Sequence, residues 1–298
     1  MQLKPIAEQV IVITGASSGI GLATAQAAAE RGARLVLAAR SAETLDGICA
    51  DINAGGGQAV AVQADVGSRE DVDRLAQTAI DQFGRIDTWI NNAGVAIYGR
   101  LEEVSEADSR RLFDTNFWGV VNGSLAALPY LRANGGALIN IGSEVSDAVV
   151  PLQGMYSASK HAVKGFTDAL RVEVEELDKA PVSITLVQPT AVDTPYPQHA
   201  KNYMAREPKL PRPQIDPEDV AGAILDAAAK PTRDVRVGSM AVFNTIAAKV
   251  MPGIADKMSA RQADRQQYDE PPRNPEGGLW RPAGEGRVHG EGGREAKR

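Results

Sequence analysis

Three residues of this chain have the types and spacing for proton chemistry: Ser143, Tyr156 and Lys160, the last two within the run YSASK. Residues four apart on a helix share one face, so the phenol of Tyr156 and the ammonium of Lys160 would lie together. A free tyrosine has a pKa near ~10 and is a poor base at neutral pH, but a neighbouring cation favours its ionised form. A phenol that exchanges a proton in this way suits oxidation or reduction at a carbonyl carbon.

A glycine-rich loop could bind the hydride donor that such a reaction needs. The apolar run VIVIT leads into TGASSGIG (14–21), with glycines at positions 15, 19 and 21. Glycine lets the backbone turn sharply and lets a diphosphate approach closely, while the helix that follows directs its free N–H groups at the phosphate. The alternative is a loop that merely needs glycine, but the strand before it and the helix after it favour the phosphate site.

Strands and helices alternate along the chain. Nearly continuous apolar runs, typical of strands buried on both faces, occur at 10–14, 34–39, 59–63, 88–92, 137–142, 183–188 and 235–238. Segments with helical spacing lie between and after them, at 19–32, 42–54, 69–83, 106–133, 154–178 and 217–230. This alternation predicts an α/β fold, a doubly wound parallel sheet (Rossmann fold) of about seven strands with helices on both faces.

Composition narrows the class of protein. The 298 residues are 43% hydrophobic and carry a formal net charge of −6, which fits a globular protein acting on small molecules and speaks against nucleic-acid binding. The single cysteine, Cys49, excludes an internal disulfide, and with three scattered histidines it leaves no metal-ligand spacing, so no metal is expected. With no signal peptide or membrane span in the sequence, we expect a cytoplasmic protein.

Two segments depart from the alternating pattern. The stretch 193–216 holds five prolines and is predicted to be irregular and lid-like. The last 30 residues, 269–298, hold four prolines and seven glycines, and we interpret them as a tail that is poorly ordered or draped over a partner subunit. Residues 1–268 would then form a single dehydrogenase-type domain, in which the apolar stretch 240–258 packs internally, lines a pocket, or contacts another subunit or a membrane surface.

The spacing TGxxxGxG resembles the signature of the short-chain dehydrogenase/reductase family, and further motifs extend the resemblance over about residues 8–240. Asn91-Asn92-Ala93-Gly94 is similar to the family's NNAG, and Asn116 to its helical asparagine. The catalytic serine, tyrosine and lysine of the family match Ser143, Tyr156 and Lys160, and its PGxVxT segment matches Pro189, Val192 and Thr194.

The resemblance implies roles for four catalytic residues. Lys160 would hold the ribose hydroxyls of the cofactor and lower the pKa of Tyr156, which would exchange a proton with the substrate oxygen. Ser143 would donate a hydrogen bond to that oxygen, and Asn116 would hold a relay water. The implied cofactor-binding residues are Gly15, Ser17, Ser18, Gly19, Ile20, Gly21, Arg40, Asp65, Val66, Asn92, Ala93, Gly94, Tyr156, Lys160, Pro189, Val192 and Thr194.

The end of the second strand decides which nicotinamide cofactor is expected. An acid there would favour NAD, but the strand ends Ala38-Ala39-Arg40, and a guanidinium suits the 2′-phosphate of NADP. Against this, Ser18 stands where many NADP-preferring relatives have a second basic residue, and Arg40 could simply be solvated. Asp65 resembles the adenine-binding aspartate, with a helix cap as the alternative. A further departure is Thr190, where the family usually has glycine.

The sequence therefore predicts an oxidoreductase that transfers hydride between NADP(H) and a carbonyl or secondary alcohol. The alternatives are an NAD-dependent enzyme of the same family and a non-catalytic nucleotide-binding scaffold or redox sensor. The resemblance also implies a homo-oligomer, a dimer or a tetramer. Apolar residues expected in the substrate pocket are Val145, Val149, Leu152, Met155 and Tyr196.

Overall fold

A seven-stranded parallel sheet forms the centre of the molecule in the computed structural model, which describes residues 1–239, 250–261, 263–283 and 286–291. Its strands are β1 (Val10–Thr14), β2 (Arg34–Ala39), β3 (Gln58–Gln63), β4 (Thr88–Asn91), β6 (Gly136–Ile141), β7 (Val182–Pro189) and β9 (Asp234–Val237). A separate parallel pair consists of β5 (Ile97–Tyr98) and β8 (Lys201–Asn202). The predicted doubly wound sheet is confirmed.

Helices cover both faces of the sheet, and an apolar core lies under each face. The helices are α1 (Gly19–Glu30), α2 (Ala42–Ala54), α3 (Arg69–Phe83), α4 (Glu106–Phe113), α5 (Gly119–Asn134), α6 (Gly154–Arg171), α7 (Pro217–Ala229) and α8 (Pro252–Ala260). One core cluster contains Ile11, Ile13 and Leu35 on their face of the sheet, and the other contains Val12 and Trp89. The successive β1 residues Ile11 and Val12 thus serve opposite cores, as the pleat of a strand dictates.

The strand order creates the crevice in which the functional site lies. In the sheet the order is β3-β2-β1-β4-β6-β7-β9, so the chain runs outward in one direction from β1 to β3 and in the other direction from β4. Ligands of open α/β sheets bind outside the carboxyl ends of the strands at this reversal. The loops after β1, β4 and β6 carry the sequence motifs and meet at that place.

Two predicted helices are interrupted by wider turns. The segment predicted as one helix over 106–133 is α4, a π-helical turn at Asp114–Trp118, and α5. The segment predicted over 154–178 ends its α-helical part at Arg171 and continues as a π-helical turn, Val172–Leu177. Apolar periodicity continues through such turns, which is why the sequence pattern does not reveal them. The first of them places Asn116 at the site, and π turns are frequent at functional sites.

The C-terminal tail, which its composition predicts to be poorly ordered or draped over a partner subunit, contacts its own chain at its described residues. They pack on their own chain, with Leu279 fully buried and the Trp280 indole N–H donating to Asp108 Oδ1 at 2.6 Å. Glycine lets the main chain approach closely here, since a Cβ on Gly277 would lie 2.3 Å from the Ala200 carbonyl oxygen. The composition does not predict these contacts, because prolines and glycines dominate the segment.

Two other segments stand out in the sequence, residues 193–216 and residues 240–258. Residues 193–216 are irregular except for β8 and run beside the cleft, consistent with the predicted lid-like segment. Of the stretch 240–258, residues 240–249 lie outside the described residues. The described remainder forms α8, in which Ile254 is 53% exposed and no residue is buried. None of the described helices is both long and apolar enough to cross a membrane.

Candidate active site

Tyr156 and Lys160 lie one helical turn apart near the start of α6, as their spacing predicts, and Ser143 directly follows β6. All three line one cleft. The Ser143 hydroxyl accepts a hydrogen bond from the Val145 N–H at 3.3 Å and caps a short 3-10 turn. Capping and catalysis are compatible, because a hydroxyl that accepts from the backbone keeps its own proton for a substrate oxygen.

Lys160 is buried, and its ammonium is held by the sheet. Its Nζ donates to the Ile141 carbonyl oxygen at 2.8 Å and lies 5.7 Å from the centre of the Tyr156 ring. Burial disfavours the charged form and lowers the pKa of Lys160 to about 8. The ammonium is therefore present at neutral pH and is lost under mildly alkaline conditions.

The Tyr156 phenol is protonated at neutral pH in this structure. Burial is the main cause and raises its pKa to about 12, although hydrogen bonding with Ser143 and Tyr196 acts in the opposite direction and Glu144 adds to the rise. The lowering of this pKa expected from Lys160 is not among the causes of the shift, and the Lys160 ammonium is bound to the Ile141 carbonyl. A half-buried, protonated phenol can donate a proton to a substrate oxygen.

Asn116 is fully buried and its amide is completely engaged. Its Oδ1 accepts from the Val95 N–H at 2.8 Å, and its Nδ2 donates to the Val95 carbonyl at 3.0 Å and to Ser159 Oγ at 3.1 Å. The side chain thus ties the π turn to the loop after β4 and to α6. The amide of Asn116 has no N–H left to donate to a water, because both are engaged.

The cleft runs along the carboxyl edge of the sheet and has a volume of about 270 Å³. Every predicted site residue lines it except Gly21 and Asn116, which lie behind its wall. Gly21 acts by packing, since a Cβ there would lie 2.2 Å from the Gly15 carbonyl oxygen. Gly15 itself has φ +66°, in the left-handed region that favours glycine, and a Cβ on it would meet Ala93 Cα at 2.7 Å. The loop after β1 is thus packed tightly between α1 and the loop after β4.

Residues of the motif Asn91-Asn92-Ala93-Gly94 form hydrogen bonds in two places, at the glycine-rich loop and in the core. Asn92 Nδ2 donates to the carbonyls of Thr14 and Gly15 at 3.0 and 3.1 Å, which fixes the start of the glycine-rich loop. Asn91 points into the core, where its Nδ2 donates to Asn140 Oδ1 at 2.8 Å. Both asparagines therefore hold the backbone in place, while Ala93 and Gly94 provide cleft surface.

Arg40 and Asp65 lie at the far end of the cleft, where the adenosine of a dinucleotide would bind. Arg40 is half-buried and donates from Nη1 to the Leu279 carbonyl at 2.9 Å and from Nη2 to that of Gly278. Asp65 forms an ion pair with Arg111. The cap of α3 is Ser68, whose Oγ accepts from the Asp71 N–H, so the alternative role of Asp65 as that helix cap is wrong.

Thr190, where the resemblance implies glycine, is accommodated by a glycine elsewhere. Its hydroxyl donates to Glu144 Oε2 at 3.1 Å, and its methyl lies 2.5 Å from the position that a Cβ on Gly238 would occupy. Gly238 has φ +94°, which favours glycine, and the Thr190 methyl leaves no room for a Cβ at that position. Val192 and Thr194 still line the cleft.

Of the five predicted pocket walls, Val145 and Tyr196 line the cleft. Val149 is 55% exposed, and Met155 packs into a small cluster with Val95 and Ile97 behind the wall. Sequence reasoning missed Gln153, which accepts a hydrogen bond from the Tyr196 hydroxyl at 2.8 Å. It also missed Gly278, Pro282 and Ala283 of the tail, because a Pro/Gly-rich composition gives no signal of a binding surface.

The comparison with protein families decides which class of enzyme this is. The model of the short chain dehydrogenases matches residues 9–204, about two thirds of the chain. This chain belongs to the short-chain dehydrogenase/reductase family. It is an oxidoreductase of that family, and the glycine-rich loop, Ser143, Tyr156 and Lys160 all fall within the matched region.

Curated relatives of this short-chain dehydrogenase/reductase extend the match. The uncharacterized oxidoreductase YxnA of Bacillus subtilis is 45% identical over 278 residues, covering 92% of this chain and 78% of that protein. This coverage exceeds residues 1–268, so the match includes part of the tail. The putative oxidoreductase SadH of Mycobacterium tuberculosis is 35% identical over 82% of this chain and 91% of that protein.

Solved structures show the same fold. A short-chain dehydrogenase/reductase from Burkholderia phymatum in complex with NAD has a TM-score of 0.77 and 26% identity, covering 85% of this chain and 96% of that one. A short-chain dehydrogenase from Burkholderia cenocepacia in complex with NADP has a TM-score of 0.71 and 29% identity, covering 87% and 99%. Similar structures thus bind either cofactor, and the choice depends on residues of the individual chain.

Proposed function

We propose that this enzyme transfers hydride reversibly between NADP(H) and a carbonyl or secondary alcohol, with Tyr156 as the general acid and base. The observation that carries the proposal is the convergence of Ser143, Tyr156 and Lys160 on one side of the cleft that the glycine-rich loop opens. The family comparison supports the reaction class, and the protonated state of Tyr156 supports its role as the proton donor in reduction.

When bound, the cofactor supplies the hydride. The chain's own residues do the rest: Ser143 keeps a hydroxyl proton for the substrate oxygen, and Tyr156 delivers its proton to the same atom. Lys160 holds positive charge behind the phenol as negative charge develops on it. The apolar side chains of Val145 and Tyr196 give the substrate a partly water-free environment, which strengthens these electrostatic effects.

The preference for NADP rests on Arg40. The strand that carries it, β2, has no carboxylate at its carboxyl end to accept hydrogen bonds from a ribose, and a guanidinium pairs with a phosphate through two parallel hydrogen bonds. The neighbouring Arg111 adds positive potential, and it contributes with burial to a lowered pKa of Arg40. An anion at this point would relieve the repulsion between the two guanidinium groups.

The experiment is a panel of ketones, aldehydes and secondary alcohols assayed with each nucleotide, for the wild type and for Arg40→Asp. We expect turnover with NADPH in the wild type, and a rise of roughly 30-fold or more in KM for NADPH in the variant, since losing a charged hydrogen-bonded pair costs about 2 kcal/mol or more. Arg31→Ala is the matched control, because Arg31 lies on the surface at the end of α1. An unchanged KM for NADPH in Arg40→Asp would refute the cofactor assignment, and no turnover with any panel member would refute the reaction class.

A further inference from the structure

The described residues 270–283 and 286–291, here called the C-terminal strap, bind the same groups of the enzyme that a dinucleotide needs. Both arms of the Arg40 guanidinium are taken, since Nη1 donates to the Leu279 carbonyl at 2.9 Å and Nη2 donates to the Gly278 carbonyl. The proposed function assigns this guanidinium to the 2′-phosphate of NADP(H). Strap and phosphate cannot both occupy it.

The amide at the start of α1 is also occupied. The Gly19 N–H donates to the Arg287 carbonyl oxygen at 2.9 Å. This amide belongs to the helix N-terminus at which a diphosphate would bind, and the positive end of the helix dipole favours an anion there. Two separate phosphate positions, at either end of the adenosine, are thus filled by main-chain carbonyls of one segment.

The strap is anchored by specific contacts rather than by chance collapse. Leu279 is fully buried, the Trp280 indole lies beneath the Arg111 guanidinium at 5.8 Å, and the Gly278 N–H donates to the His199 carbonyl at 2.7 Å. Farther along, the Gly290 N–H donates to the Asp193 carbonyl at 3.3 Å. The strap therefore crosses from the adenosine end of the cleft to the lid-like segment.

A phosphate would satisfy Arg40 better than the strap does, whereas Arg111 beside it is already paired with Asp65. Arg111 Nε also donates to the Leu279 carbonyl, at 3.3 Å, so two guanidinium groups converge on one neutral oxygen. A carbonyl carries only a partial charge, whereas hydrogen bonds between guanidinium and phosphate are charge-assisted and about twice as strong. Arg111 is thereby placed as a second basic residue beside Arg40, the function that Ser18 in the glycine-rich loop does not supply.

The volume that the strap leaves in the cleft is consistent with this competition. With the strap in place the cleft has a volume of about 270 Å³, below the roughly 300–1,000 Å³ of sites for drug-sized ligands, and a dinucleotide is larger than such ligands. Because Gly278, Pro282 and Ala283 form part of the wall, moving the strap would enlarge the cleft at its adenosine end.

We propose that the C-terminal strap is an intramolecular competitor of the cofactor, which NADP(H) displaces by binding Arg40, Arg111 and the Gly19 N–H. The proposal rests on the proposed function, since it assumes that a nicotinamide dinucleotide binds this cleft. Binding to a state that is only fractionally open weakens the apparent affinity by that fraction. A nucleotide without the 2′-phosphate makes fewer contacts with these cations, so the strap would also sharpen the preference for NADP(H) over NAD(H).

The test compares the dissociation constants of NADPH and NADH for the full chain, for a chain ending at Asp269, and for a full-length Gly277→Val variant. The valine Cβ would lie 2.3 Å from the Ala200 carbonyl oxygen, so this variant loosens the strap without shortening the chain. The controls are Gly253→Ala, whose Cβ meets no atom within 4 Å, and a chain ending at Glu291. We expect NADPH to bind about tenfold or more tightly to the chain ending at Asp269 and to Gly277→Val than to the wild type, and the controls to match the wild type.

Two further readouts separate competition from a merely structural role. A synthetic peptide of residues 270–291 should weaken NADPH binding to the shortened chain competitively, and NADPH should accelerate tryptic cleavage of the full chain after Arg287, which is followed by valine. Equal or weaker NADPH binding after removal or loosening of the strap, or protection of Arg287 by NADPH, would overturn the proposal while leaving the proposed function intact. Failure of both forms to bind NADPH and NADH would overturn both.

Discussion

At the scale of single residues, the candidate site contains two kinds of side chain: titratable groups that could take part in proton transfer, and amides that hold the backbone. Tyr156 is half-buried and Lys160 is buried, and their pKa values shift in opposite directions from the usual ones, upward for the phenol and downward for the ammonium. The side-chain amides of Asn92 and Asn116 form hydrogen bonds with main-chain groups. Such shifted pKa values cluster at functional sites because burial and close approach are needed for the chemistry.

The pH dependence of reduction follows from Lys160. Its pKa is lowered to about 8, so the ammonium is present below that pH and is lost as the pH rises through it, whereas Tyr156 stays protonated up to about 12. We expect kcat/KM for NADPH, which reports the free enzyme, to fall as the pH rises through about 8.

A Lys160→Arg variant provides the control for this profile. Its guanidinium keeps its charge over the whole range, so the loss near pH 8 should disappear even where the absolute rate is lower. A wild-type profile that stays flat to pH 10, or a loss near pH 8 that persists in the variant, would assign the titration to another group.

At the scale of secondary-structure elements, close backbone packing positions the glycine-rich loop. A Cβ on Gly21 would lie 2.2 Å from the Gly15 carbonyl oxygen, so α1 packs against its own preceding loop. We expect Gly21→Ala to shift that loop and to raise KM for NADPH at least tenfold, measured by steady-state kinetics.

Gly165→Ala is the matched control, because it adds the same methyl group in α6 at a place where no atom lies within 4 Å. It should leave KM unchanged and raise the free energy of unfolding by roughly 0.5–1 kcal/mol, the usual gain when alanine replaces an exposed helical glycine. If both alanines had the same effect on KM, the packing argument for Gly21 would be wrong.

How far the sequence predicts the molecule also depends on the kind of element. The bounds of α2 and α3 follow from apolar periodicity, and all seven sheet strands were predicted to within two residues at either end. The π turn at 114–118 could not be predicted, because it changes hydrogen bonding without changing which residues are apolar. The sequence spacing of Ser143, Tyr156 and Lys160 predicted candidates that line one cleft in the structure, whereas the accommodation of Thr190 by Gly238 depends on two distant segments meeting in space.

At the scale of the whole molecule, the tail makes contacts that its composition does not predict. Prolines and glycines dominate it, but Leu279 is buried and the exposed Trp280 indole donates to Asp108, so the described part of the tail lies against the cleft. The homo-oligomer stays a prediction. Trp118, which ends the π turn, and Leu125 in α5 are 51% and 42% exposed, and an interface could cover these two apolar residues.

In the proposed reaction hydride passes between a nicotinamide and a carbonyl carbon while Tyr156 transfers the proton. The most direct measurement uses NADPH in which both hydrogens at the nicotinamide C4 position are deuterium, and follows the alcohol product by mass spectrometry. We predict an alcohol that carries the deuterium on its carbinol carbon, and a rate that falls by roughly 10²–10⁴-fold in Tyr156→Phe. An alcohol without deuterium, or a Tyr156→Phe variant as fast as the wild type, would contradict the account.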